Sequence, residues 1–173
     1  MEEPLEIRVA GEARAVLMRT PGDDRALVAG FLLTEGVIDG LDDVVAIEPC
    51  RDPNKPAAFN TVRVSLADGS PLSQSRLARA RRDLFTGSSC GLCGKATIES
   101  LHQDIKPHAE FLELDGDVIR GMSGRARARQ AGFATTGGLH AAAMFNQSGE
   151  LERLAEDVGR HNACDKVLGA MLL

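Results

Sequence analysis

Apolar and polar positions alternate from the start of the chain. Pro4-Leu5-Glu6-Ile7-Arg8-Val9 reads as a strand, Ala10-Gly11 as a turn, and Ala13 to Met18 as the returning strand of a hairpin. The turn formers Thr20-Pro21-Gly22-Asp23-Asp24 follow. From Arg25 to Glu35 the pattern changes period: Leu27 with Phe31 and Val28 with Leu32 stand four apart, which predicts a short buried helix stopped by Gly36. Two further strands are expected near Val44 to Glu48 and over Thr61 to Leu66, on either side of the Pro-rich loop Asp52-Pro53-Asn54-Lys55-Pro56.

The second half is expected to begin with a helix from Ser73 to Leu84. It then enters Phe85-Thr86-Gly87-Ser88-Ser89-Cys90-Gly91-Leu92-Cys93-Gly94, where three glycines in eight residues predict a loop. Helix is expected again over Lys95 to Gln103, a strand over Phe111 to Leu114 and an Arg-rich helix over Ser123 to Gln130. A strand from His140 to Phe145 should pair, through Asn146 to Gly149, with Glu150 to Leu154. The segment Gly159 to Leu173 carries Cys164, Val167, Leu168, Met171 and Leu172 on one stripe, which predicts an amphipathic helix. The elements together imply an α/β (α+β) protein, with a small N-terminal sheet-and-helix unit over 1–72 and an α/β core over 73–173.

Composition narrows the function classes. A chain of 173 residues with 43% hydrophobic and 26% charged residues has the makings of a packed core. The net charge of −5, six Phe and no Trp or Tyr leave neither the basic field nor the stacking platforms that nucleic acids require. No apolar run is long enough to span a bilayer, and Met1-Glu2-Glu3-Pro4 is no secretory leader, so neither membrane nor nucleic acid is expected as a partner and the cytoplasm is the expected compartment.

Four cysteines, two of them spaced Cys-x-x-Cys, do not make a secreted disulfide framework. The pair Cys90 and Cys93 is the first candidate for chemistry. A thiol is nucleophilic as thiolate, and its pKa falls at a helix N-terminus or beside a cation. Gly94-Lys95 supplies both directly after Cys93, and Ser88, Ser89 and Gly91 add no bulk to bury the sulfurs. The alternative is structural zinc. One Cys-x-x-Cys provides only two of four ligands, so a zinc-binding structural or interaction module would need two isolated ligands, such as His140 or His161, to complete the set. Cys50 and Cys164 are expected to be packing thiols.

Two downstream clusters remain. Thr136-Gly137-Gly138-Leu139-His140-Ala141-Ala142 joins a Gly-Gly turn to very small residues, which permit close backbone approach to a neighbour or a ligand. Its His-Ala-Ala has the histidine of zinc deaminases but Ala142 where their catalytic glutamate stands, which disfavours deaminase chemistry. In Glu156-Asp157-Val158-Gly159-Arg160-His161-Asn162-Ala163-Cys164-Asp165-Lys166, Gly159 is expected to turn the chain and Asp157 to cap a helix. This is either a solvated helix start or an anion site, in which Arg160 and the first-turn amides hold a phosphate.

These three segments, together with Glu3-Pro4-Leu5 and Phe31-Leu32-Leu33-Thr34-Glu35-Gly36, closely resemble the FdhD family, the formate dehydrogenase accessory sulfurtransferases. The resemblance implies a sulfur carrier with sulfurtransferase activity. It would take persulfide sulfur from a cysteine desulfurase and deliver it to the molybdenum bis-molybdopterin guanine dinucleotide cofactor needed by formate dehydrogenase. Matching motif positions make Cys90 the persulfide cysteine and Cys93 its partner. The resemblance further implies a cytidine-deaminase-like core and a homodimer that binds a guanine nucleotide moiety, GDP-like in character. Gly137, Gly138, His140, Asp157, Gly159, Arg160, His161 and Asn162 are the expected cofactor-binding residues, and no metal ligand is expected among them. Ala155 departs from the family's usual arginine, and family members extend well past the Lys166 helix, so the core is expected to be incomplete at its C-terminal end.

Overall fold

The computed structural model describes residues 2–50, 60–67 and 112–173. The opening hairpin is present as β1 (Glu3–Val9) and β2 (Glu12–Arg19), paired antiparallel. Its loop is Ala10-Gly11 with φ of 51° and 81°. Positive φ at both central residues is the requirement of a type I′ turn, whose twist matches that of the flanking strands. Helix α1 (Asp24–Thr34) follows, then a single 3-10 turn at Leu41–Asp43 and the strands β3 (Val44–Pro49) and β4 (Thr61–Leu66). The sheet order is β2-β1-β4-β3, with β1 and β4 parallel and the outer pairs antiparallel.

The alternation read in the sequence is the alternation buried. Leu5, Ile7 and Val9 of β1 and Val62 and Val64 of β4 face Leu27, Val28, Phe31 and Leu32 of α1 in one core. Each such side chain contributes roughly 1.5–3 kcal/mol on leaving water. The helix ends where expected: Gly36 has φ of 66°, and the amides of Glu35, Gly36 and Val37 donate to the carbonyls of Phe31, Leu33 and Leu32.

Further along lie α2 (Gly116–Arg127), α3 (Ala131–Thr136), β5 (His140–Phe145), β6 (Leu151–Asp157) and α4 (Arg160–Leu172). Strands β5 and β6 form an antiparallel two-stranded sheet. Between them Asn146 accepts the amides of Ser148 and Glu150 at 3.0 Å through one side-chain oxygen, while Gly149 takes φ of 75°. Some expectations fail. Residues 112–114 form no strand. The Arg-rich helix starts at Gly116 rather than Ser123, because Asp115 caps it by accepting the Asp117 amide. And β6 runs on to Asp157, since the register carries Ala155, Glu156 and Asp157 opposite Ala142, Ala141 and His140. The expected helices and loop over 73–103, with Cys90 and Cys93, lie outside the described residues.

Helix α4 packs on α1 at very short range. A Cβ on Gly30 would fall 1.9 Å from the Asp165 carbonyl oxygen, and one on Gly169 would fall 1.9 Å from that of Ala26. The obstacles are backbone atoms that cannot rotate away. Gly30→Ala is therefore expected to cost about 2–3 kcal/mol, the upper part of the overpacking range, despite the better helix propensity of alanine. A urea midpoint no lower than the parent's would show that the two helices can separate freely.

The face of α4 that faces inward differs from the stripe expected. Its buried residues are Ala163, Asp165, Lys166, Val167 and Gly169, whereas Cys164 is exposed and Met171 is 48% exposed. Cys164 is therefore no packing thiol. Two charged residues take the inward positions because each finds a partner there.

Candidate functional site at the end of the β5–β6 sheet

An antiparallel pair places the first residue of one strand beside the last of the other. Here His140 is the register partner of Asp157. The Gly-Gly segment before β5 and the turn after β6 therefore meet at one end of the sheet, opposite the Asn146 to Gly149 loop. All eight expected cofactor-binding residues belong to these two segments.

On one side, Gly137 terminates α3 with φ of 68°, and its amide donates to the Phe133 carbonyl at 2.8 Å. The conformation is one that glycine adopts without the penalty of a Cβ. Gly138 donates its amide to Thr136 Oγ1 at 3.3 Å. Both glycines and His140 are exposed.

On the other side, Gly159 is the N-cap of α4 and, as glycine, makes no side-chain cap hydrogen bond. Asp157 is thus not the cap. It sits two residues earlier, fully buried, and its Oδ1 accepts the Gly159 amide at 2.9 Å and Asn162 Nδ2 at 2.9 Å. Asp157 Oδ2 accepts the Thr20 amide at 3.1 Å and pairs with Lys166 Nζ at 2.8 Å. Lys166, itself 3% exposed, also donates to the Thr20 carbonyl at 2.9 Å and the Glu156 carbonyl at 3.4 Å. Thr20 Oγ1 in turn accepts the Val158 amide at 3.0 Å, and Asn162 Nδ2 reaches the Met18 carbonyl at 2.8 Å. A buried carboxylate is tolerable when paired and fully hydrogen-bonded, and Asp157 is both.

This network divides the expected residues by what they touch. Asp157 and Asn162 spend hydrogen bonds on the protein itself and fix the turn from beneath. Arg160 and His161 are exposed on the first turn of α4. The exposed Arg160 guanidinium at a helix N-terminus suits an anion.

Two contributors were not singled out from the sequence. Thr20 reads there only as part of a turn, and its partners lie more than a hundred positions away. Glu156 accepts the amides of Gly132 at 2.8 Å and Phe133 at 2.6 Å, at the start of α3. The available signal was strand alternation, which sends Glu156 and Asp157 to opposite faces. A third residue, Asp165, lies 6% exposed against α1 and accepts Thr34 Oγ1 at 2.9 Å. Burial, with nearby Glu35 adding to it and the Thr34 hydrogen bond opposing it, pushes its carboxyl up to about 7.

Among the described residues, no group of three His, Cys, Asp or Glu side chains could hold a metal ion, and no helix is long and apolar enough to cross a membrane. Cys90 and Cys93 lie outside the described residues.

The mixed α/β fold defines the class, and a solved structure shares it. A protein from Desulfotalea psychrophila, described as a formate dehydrogenase accessory protein, superposes with a TM-score of 0.69 at 25% identity, over 100% of this chain and 60% of its own. The model of the FdhD/NarQ family matches residues 1–173, and the chain belongs to that family. A relative in Streptomyces avermitilis, named sulfur carrier protein FdhD, is 43% identical over 99% of this chain. Another of the same name in Mycolicibacterium paratuberculosis is 44% identical over 98%. The chain spans 61% and 62% of the lengths of these two relatives.

Proposed function

We propose that the chain acts in a sulfur carrier that serves formate dehydrogenase. The observation that carries this reading is its membership of the FdhD/NarQ family over residues 1–173, combined with the Cys90-Gly91-Leu92-Cys93 motif. In this reading the Cys90 thiolate attacks the terminal sulfur of a persulfide on a cysteine desulfurase. The bond from that sulfur to the desulfurase cysteine breaks, the desulfurase thiolate leaves, and a Cys90 persulfide remains. Sulfane sulfur moves from one thiolate to another, so no external oxidant or reductant is required. Cys93 is the partner thiol, and the molybdenum bis-molybdopterin guanine dinucleotide cofactor is the acceptor substrate.

The end of the β5–β6 sheet then receives the guanine nucleotide moiety. Gly137 and Gly138 allow close approach, His140, Arg160 and His161 present polar and cationic groups, and Gly159, Asp157 and Asn162 hold the turn in place. The proposed setting is the cytoplasm, the working unit a homodimer, and the larger part of the core deaminase-like.

The test is mass spectrometry after incubation with a cysteine desulfurase and cysteine. The protein should gain about 32 Da, one sulfur atom, and Cys90→Ala should abolish the gain. A Cys90→Ala protein that still gains it would remove Cys90 from the role. Stoichiometric zinc that survives mild chelation, with no adduct on the parent, would instead favour the zinc module.

A further inference from the structure

The site just proposed depends on where residues 137–140 sit relative to Arg160, and the side chain that sets this belongs to neither segment. Glu156 and Asp157 are consecutive in β6, so the pleat sends them to opposite faces. Asp157 goes inward to Thr20 and Lys166. Glu156 goes to α3, where Oε2 accepts the Gly132 amide at 2.8 Å and Oε1 the Phe133 amide at 2.6 Å. These are donors of the first turn of α3, whose own N-cap residue, Gln130, supplies no side-chain hydrogen bond.

The contact does not stop at the helix. A Cβ on Gly132 would lie 2.7 Å from Leu139 Cδ1 and 3.0 Å from Glu156 Oε2, so a side chain there would have to push the end of Leu139 aside and crowd the carboxylate. Leu139 stands between Gly138 and His140. On the outer side, the Arg127 guanidinium lies 4.0 Å from the centre of the Phe133 ring. A continuous chain of contacts thus runs from β6, through the start of α3, to the middle of the Gly-Gly-Leu-His segment.

We propose that Glu156 is a positioning residue: by gripping the start of α3 it places Gly137, Gly138 and His140 beside Arg160, a role that rests on the nucleotide reading above. It touches no ligand in this scheme. A surface carboxylate with no such task would be replaceable, as exposed Glu152 on the same strand should be.

Two variants remove the grip by different routes. Glu156→Gln abolishes the charge and turns one acceptor into a donor, while Gly132→Ala keeps the charge and crowds the carboxylate and Leu139. Glu152→Gln makes the same charge change elsewhere on β6. The full chain is titrated with GDP, and amide exchange is followed over residues 132–140. Both grip variants are expected to bind GDP about tenfold more weakly, the scale of one lost charge-assisted hydrogen bond, while Glu152→Gln binds like the parent. A parent that binds GDP, with grip variants that bind it equally well, overturns the proposal. If the parent binds no GDP, the nucleotide reading fails, and exchange decides the grip by itself. A rise of about tenfold at Phe133 and over 137–140 in Glu156→Gln sustains it, and exchange unchanged from the parent overturns it.

Discussion

Asp157→Ala should lower the stability of the protein by about 3–5 kcal/mol, the range for removing one partner from a buried ion pair. The side chain is fully buried and accepts four hydrogen bonds, from the Thr20 and Gly159 amides, Asn162 Nδ2 and Lys166 Nζ. Without it the Lys166 ammonium keeps, among the described residues, the carbonyl oxygens of Thr20 and Glu156, in a place where it is 3% exposed. The damage is local as well as global. The turn into α4 loses one of its ties to Thr20 and keeps the Val158 amide on Thr20 Oγ1, so Arg160 and His161 rest on a weaker base.

Lys166→Met strands the carboxylate instead and should cost a similar amount. The double variant Asp157→Ala/Lys166→Met should be less destabilised than the two single changes added together, because neither charge is then left alone. Chemical denaturation of the four proteins checks this. Single variants that each cost less than about 1 kcal/mol would mean that water reaches the pair and that it behaves as a surface bridge.

The opposite sign is expected at Asp165, where Asp165→Asn should stabilise the protein above neutral pH. The group's pKa rises from an ordinary 3.8 to about 7 on folding, with burial as the main cause. The folded state therefore holds the proton more tightly than the unfolded chain. Ionisation costs nothing below the unfolded value, grows costly between about pH 4 and 7, and is fully charged against the fold above that. A shift of that size corresponds to an effect on the order of 4 kcal/mol.

Asparagine keeps an oxygen to accept from Thr34 Oγ1 and carries no charge at any pH. Parent and variant should unfold at the same urea concentration near pH 4 and diverge towards pH 8, where the variant is about 2–4 kcal/mol more stable. Equal stability at pH 8 would show that the carboxylate is solvated in the folded protein. Because Asp165 lies where α4 crosses α1 and adjoins Lys166, the parent's pH dependence reports on the same packing that Gly30→Ala disturbs.

Much of this architecture can be read without coordinates. The hairpin around Ala10-Gly11, the buried helix stopped at Gly36, and strands β3, β4 and β5 stand within a residue or two of where their periodicities put them. Those elements bury ordinary apolar side chains, so period alone identifies the inward face. Helix α2 is harder to see because Gly116, Gly121 and Gly124 dilute its pattern, and its start depends on one cap at Asp115. Both downstream clusters were legible as candidate chemistry. The roles within them were not: Asp157 and Asn162 look like Arg160 and His161 in a string of polar residues.

What the sequence determined by itself was the set of elements and the polar segments between them, because propensity, period and turn chemistry act over a few neighbouring residues. Only the tertiary structure decided which polar residues hold the protein together. Thr20 meets Asp157 across 137 positions and Lys166 across 146, and Thr34 meets Asp165 across 131. A charge turns inward when a distant partner offsets its loss of water, and no local pattern in the chain records where that partner will be.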